Sequence, residues 1–303
     1  MKSYLLIFII ITCLAVGSFG NATFYTANYT DILQSAPGAR AAGMGFACTA
    51  LAENAASAHV NPAGIAFADK KIELASNYSN LFNDVDQNIV NEIAPFWNGM
   101  AGLCVARSQV SDIPYVQEVN QRPDVSYYFN SVKQATVLTY GQKLSEQVGI
   151  GINFKYYAHE LDQKTANGFG FDMGIQYKVD NFKAGFCWRN ILGTAINWST
   201  GHHDQIYPFF AIGIAADLNI NDRKITTVLD MALDNDNSNA PYHWHYGAEY
   251  WLVKDLLALR AGIYQENLTL GLGLAYAGFK LDYAYIGHKD LGASNQVSTA
   301  FSF

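Results

Sequence analysis

From residue 69 to the end, large apolar side chains alternate with glycine, alanine and isolated charges. Val148, Ile150, Ile152, Phe154 and Tyr156 share one face of an extended segment, and Gly149, Gly151, Asn153, Lys155 and Tyr157 share the other. Phe169, Phe171, Met173, Ile175 and Tyr177 repeat the pattern against Gly170, Asp172, Gly174 and Gln176. Leu268, Leu270, Leu272 and Leu274 repeat it against Thr269, Gly271, Gly273 and Ala275. A period of two is the signature of a strand whose two faces meet different surroundings. A soluble sandwich alternates as well, so the connections have to decide between sandwich and barrel.

Fourteen candidate strands lie near 70–80, 87–97, 99–108, 130–142, 147–158, 167–178, 181–190, 206–219, 222–233, 242–253, 256–265, 268–277, 278–286 and 295–303. Tight turns are expected at Asn98, Ser145-Glu146, Val179-Asp180, Asn219 to Asn221, Lys254 and Ala277-Gly278. Between them fall longer polar loops at 81–86, 109–129, 159–166, 191–205, 234–241 and 287–294, with Glu266-Asn267 the one short turn on that side. An even strand number with short turns on one side and long loops on the other is the plan of an outer-membrane barrel. The predicted fold is therefore all-β, a transmembrane antiparallel barrel of about 14 strands spanning 69–303. Half the residues are hydrophobic, yet the mean hydropathy is only +0.02 and long apolar runs are absent after the N-terminus, which excludes a helical membrane protein. The net charge of −7 argues against nucleic acid as a partner.

Lys2 followed by the apolar run Tyr4 to Val16 and the small residues Gly17, Ser18, Gly20 and Ala22 reads as a cleaved signal peptide over 1–20. A lipoprotein signal at Cys13 is the weaker alternative. Residues 21–68 are rich in alanine and glycine and read as short helices and turns, a plug or hatch thin enough to enter the barrel. Asn61-Pro62 is expected to end a short helix over Ala55 to His59, and Gly64 to permit a backbone reversal. Arg40 is the strong charge of the segment, able to clamp a lumen carboxylate bidentately, with Asp172, Asp217, Asp230 or Asp282 as candidates. Either the plug merely seals the barrel, or it gates or contacts a ligand. The inward faces carry Lys155, Lys183, Arg189, Arg260 and Lys280 against Asp172, Asp217, Asp230, Glu249 and Asp282. This balance points to a paired, filled lumen rather than an ion-selective ring of one sign. The five tryptophans fall near strand ends, as an aromatic girdle requires.

The run Pro37-Gly38-Ala39-Arg40-Ala41-Ala42-Gly43-Met44-Gly45, then Ala50-Leu51-Ala52-Glu53-Asn54 and Asn61-Pro62-Ala63-Gly64, resembles the PorV/PorQ family of FadL-like outer-membrane proteins. Leu281-Asp282-Tyr283-Ala284-Tyr285 and the final Phe303 resemble that family's last two strands. The resemblance implies a fourteen-stranded barrel with an N-terminal plug whose motif residues are Gly38, Arg40, Gly43, Gly45, Asn61, Pro62 and Gly64. It also implies either a protein-binding role in type IX-like export or uptake of small hydrophobic molecules such as fatty acids. The expected partners are outer-membrane lipid, the barrel assembly machinery through Phe303, secreted proteins or secretion-system components, and hydrophobic small molecules. A structural barrel with neither role is a third reading. For export, an apolar or aromatic patch is expected on 109–129 and 191–205; for uptake, an apolar pocket near the plug and a lateral gap beside a strand kink, for which Pro208 is the candidate. No nucleophile elbow, phosphate loop or metalloprotease helix occurs, so no enzyme activity, cofactor or metal is expected; His202-His203 and the pair His243 and His245 lack a completing ligand.

Overall fold

The computed structural model describes residues 31–34, 37–69, 71–119, 121–220, 223–234, 242–264, 266–288 and 292–303. The expected signal peptide and the start of the plug segment lie outside them. The strands are β1 (Glu73–Leu81), β2 (Val85–Phe96), β3 (Gly99–Val119), β4 (Arg122–Lys143), β5 (Val148–Leu161), β6 (Lys164–Val179), β7 (Phe182–Arg189) and β8 (Thr194–Trp198). They continue with β9 (His203–Ile206), β10 (Phe209–Ile220), β11 (Arg223–Asp234), β12 (Tyr242–Val253), β13 (Leu257–Tyr264), β14 (Asn267–Tyr276), β15 (Phe279–His288) and β16 (Gly292–Ser302). Fourteen of them form a closed antiparallel barrel, because β5 pairs with β6 and β1 pairs with β16. The remaining two, β8 and β9, make a hairpin carried on β6.

The expected faces are the observed ones. Ile152 is 55% exposed and its neighbour Asn153 is 1% exposed; Phe171 is 54% exposed and Asp172 is 1% exposed. So continuous a band of large exposed apolar side chains is stable only against lipid. Trp188 and Trp244 lie on this outer face and Trp97 is exposed in the turn after β2, but Trp198 and Trp251 turn inward and leave the expected girdle. Trp198 does so because its ring N–H donates to Asp204 at 2.7 Å.

The tight turns stand largely where expected. Ala277 and Gly278 both have positive φ, +48° and +84°, the geometry that suits a two-residue hairpin. On the opposite side the expected loops at 81–86, 109–129, 159–166 and 191–205 are shorter than the sequence suggests, while that at 234–241 falls largely, and that at 287–294 partly, outside the described residues. Positions 109–129 form no loop: β3 and β4 run on to Val119 and Arg122. The stretch 159–166 closes in a turn between Leu161 and Lys164, and 191–205 holds the β8–β9 hairpin. Beyond the lipid both faces of a strand meet water, so the polarity contrast fades while the hydrogen-bond ladder continues.

One seam of the wall is interrupted. β7 pairs with β6 from Val179 to Met173 and stops, and β8 resumes at Gly168. Along residues 169–172 this edge of β6 accepts one backbone bond, from Ile191 N to Phe171 O at 2.9 Å. The connecting residues Asn190, Leu192 and Gly193 all have positive φ, so the chain there leaves the extended form. A matching two-residue break at 207–208 separates β9 from β10, and Pro208 lies in it. Proline has no N–H to give to a ladder.

Candidate functional site

Residues 37–68 lie inside the barrel against inward faces of β4–β6, β7 and β10–β16. The segment has little regular structure, so wall side chains must take its backbone polar groups. They do. Ala39 N donates to Ser298 Oγ at 2.7 Å and Gly45 N to Thr269 Oγ1 at 3.0 Å. Cys48 N and Thr49 N both donate to Asp230 Oδ2 at 2.8 Å, and Gln176 Nε2 donates to Ala50 O at 2.6 Å. The wall makes room by lacking side chains. A Cβ at Gly151 would overlap the Pro62 carbonyl, and one at Gly262 would overlap the Gly45 backbone. This explains why the inward face is paved with glycine.

The motif residues take specific places. Gly38, at φ +94°, precedes the helix α1 (Ala39–Gly43), and Gly43 packs on Gly271. Gly45 is at φ +66°, and a Cβ there would lie 2.5 Å from the carbonyls of both Ile263 and Tyr246. Asn61 and Pro62 begin a 3-10 turn (Pro62–Phe67) rather than ending a helix over 55–59, where only a three-residue turn (Ala55–Ser57) forms. Asn61 is its cap: the side chain accepts from Ala63 N at 3.1 Å and donates to Thr49 O at 2.8 Å. Proline suits a first helical position, where its missing N–H costs nothing. Gly64 lies within this turn and reverses nothing through positive φ; it is bare because the Ala52 carbonyl packs onto it.

The charged residues form separate clusters. Arg40 clamps Glu249, not one of the four aspartates proposed: Nε donates to Oε2 at 2.9 Å and Nη2 to Oε1 at 2.8 Å. Glu249 also accepts from Arg260 Nε at 2.7 Å, and Arg260 reaches Asp282 at 2.7 Å. Lys155 Nζ sits 2.7 Å from Asp172 and 3.7 Å from Asp31. Asp217 meets Lys224 at 3.0 Å, in the same cross-strand row as Glu249. Asp230 serves the plug backbone instead of pairing with a cation.

The second cluster seals the wall break. Asp172 accepts from Asn190 N at 2.8 Å and Asn153 Nδ2 at 2.9 Å. Asn190 Nδ2 and the Tyr157 hydroxyl both donate to Asp31 Oδ2, at 3.2 and 2.9 Å. A plug residue, Asp31, thus holds the bend that interrupts the wall. Only the inward parity of Glu249 and Asn153 could have pointed to these partners. Nothing in the sequence marks Asp31 or Asn190.

Two cavities flank the plug, and a groove lies on the wall. One of about 220 Å³ opens on the side of the projecting strands, lined by Leu33, Phe46, Arg189, Phe209, His243 and Tyr264 among others. A second of about 230 Å³ opens on the tight-turn side, with Arg40, Leu51, Trp251 and Lys280 in its lining. Both touch Pro37 and Cys48, so the plug stands between them. The groove, about 430 Å³, lies beside the wall break, lined by Leu138, Ile152, Phe154, Phe171, Met173 and Ile191 with Thr139, Tyr140, Asn153 and Asp172.

The architecture has clear structural neighbours. The toluene transporter TodX of Pseudomonas putida superposes with a TM-score of 0.62 at 13% identity, covering 88% of this chain and 98% of TodX. The toluene transporter TbuX of Ralstonia pickettii gives 0.54 at 10% identity, covering 88% of this chain and 97% of TbuX. The monoaromatic hydrocarbon channel CymD gives 0.55 at 11%, covering 89% and 97%. No family model and no curated protein matches the sequence. The chain therefore shares its barrel fold with these transporters and this channel. None of these neighbours carries the PorV/PorQ assignment.

Proposed function

We propose that this barrel is an outer-membrane channel for small hydrophobic molecules. Ligand enters the 220 Å³ cavity on the projecting side and leaves sideways into lipid through the break between β6 and the β7–β8 connection. The observation that carries this reading is the single backbone bond along 169–172, set beside a groove of exposed apolar side chains. The two features are neighbours in the chain: Arg189 lines the cavity and Asn190 begins the break. Leu33 lines the cavity while Asp31, two residues earlier, holds Asn190. Displacing the Asp31–Gln34 turn would release both. The transport of toluene by structural neighbours supports the same reading.

A covalent lock tests it. Phe171→Cys with Ile191→Cys, in a background with Cys48, Cys104 and Cys187 replaced by alanine, joins the two edges that share the lone backbone bond. Oxidised cells should lose toluene uptake, and a reductant should restore it. Equal uptake in both states, with the crosslink verified by peptide mass, removes the lateral route.

Protein binding in type IX-like export is the second reading. It is favoured by the β3–β4 hairpin, whose projecting end exposes Tyr115, Val116, Val125, Tyr127 and Tyr128. Deleting 112–128 should abolish cargo capture while leaving toluene uptake intact; unchanged capture of secreted proteins argues against this role.

A further inference from the structure

Arg189 is 8% exposed and its Nε has no hydrogen-bond partner. Its guanidinium makes no ion pair among the described residues, and lies 4.0 Å from the centre of the Phe209 ring. Every other deeply buried wall cation is matched: Lys155, Lys183 and Arg260 each sit within 2.8 Å of a carboxylate. A buried guanidinium without a partner is unfavourable, and arginine cannot escape by losing its proton. Asp230 lines the same cavity but does not supply the partner, because its Oδ2 is taken by the plug amides and its Oδ1 faces the space over Gly213. The cavity is otherwise walled by Leu33, Phe46, Phe209 and Tyr264, with the rings of His243 and His245 also in its lining.

We infer that this cavity binds a small organic anion, a carboxylate attached to an apolar body of about one ring. The carboxylate meets the Arg189 fork, and the body lies against Phe46, Phe209 and Tyr264. The volume sets the size: a cavity of roughly 150 Å³ suffices for benzene, so 220 Å³ admits a ring and its carboxylate but not a long chain. The inference rests on the channel reading only for how such a ligand travels onward. It departs from the neighbours' neutral hydrocarbons, which would leave Arg189 bare.

Equilibrium dialysis of the detergent-purified full chain tests it with benzoate, its neutral isostere benzamide, and toluene. Benzoate should bind roughly ten- to a hundredfold tighter than benzamide. Arg189→Gln should erase that preference, and Arg189→Lys should keep part of it. If Arg189→Gln does not fold, benzoate protection of wild-type Arg189 from phenylglyoxal reads the same contact. Equal binding of benzoate and benzamide, or an undiminished preference in Arg189→Gln, overturns the inference. Toluene uptake without benzoate preference sinks this inference alone. Benzoate preference without toluene uptake sinks the hydrocarbon channel alone.

Discussion

Glu249→Gln should undock the plug while leaving the barrel closed. Glu249 is 1% exposed at its side chain and stands between two guanidiniums, Arg40 from the plug and Arg260 from β13. Removing one partner of a buried, hydrogen-bonded ion pair costs about 3–5 kcal/mol. Two facts reduce this here. Arg40 is 34% exposed, so water recovers part of what it loses, and Arg260 keeps Asp282 at 2.7 Å. About 2–3 kcal/mol remains at the plug, which raises the undocked population roughly 30- to 150-fold. Amide exchange in detergent reads this directly, because local opening sets the exchange rate. Ala39 and Gly45, whose amides bond to Ser298 and Thr269, should exchange faster by that factor, while amides of β13 and β14 keep their protection. Arg40→Met should give a similar gain, and the double variant should add little to either. Plug amides that speed up less than threefold, or wall amides that speed up equally, would refute the clamp as the plug's anchor.

Gly151→Val should lower the unfolding midpoint by heat-modifiable gel migration, because the new side chain needs space held by Pro62; overpacking of this kind costs about 1–3 kcal/mol. Ile152→Ala, one residue along on the lipid face, should change it far less; the reverse order would contradict the assignment of faces. Lys155→Met strands Asp31 and Asp172 without their cation and should cost about 3–5 kcal/mol, with Lys155→Met/Asp172→Asn recovering part of it, as measured by chemical unfolding in detergent. Asn61→Ala removes the cap of the second 3-10 turn and should cost about 1 kcal/mol by the same measurement; no change would show that the Pro62 contact alone fixes the turn.

The barrel was legible because lipid and lumen impose opposite demands on alternate residues, and a period of two survives in one sequence. The count of fourteen and most turn positions followed from that contrast. It failed at 109–129, where β3 and β4 stand in water on both faces and Tyr115, Tyr127 and Tyr128 mix with charges on either side. The break after Arg189 was invisible because its cause is a missing ladder with residues some twenty positions earlier, not a local residue type. Arg40 was recognisable as a clamp, yet its partner lies 209 residues away and is chosen by how the strands are staggered around the ring. Arg189 read as one more balanced charge; only its placement over the Phe209 ring, with no carboxylate in direct contact among the described residues, sets it apart.

The pairing of β1 with β16 joins Glu73 to Ser302, so the seam that completes the ring unites the first strand with the last. The plug precedes β1 and is encircled by the finished wall. That seam is the only pairing in the ring between strands from opposite ends of the sequence, so the ring is complete only once both ends of the barrel domain are in place. A chain without β16 would leave β1 and β15 as two unpaired edges, and lipid offers no water to satisfy their backbone groups.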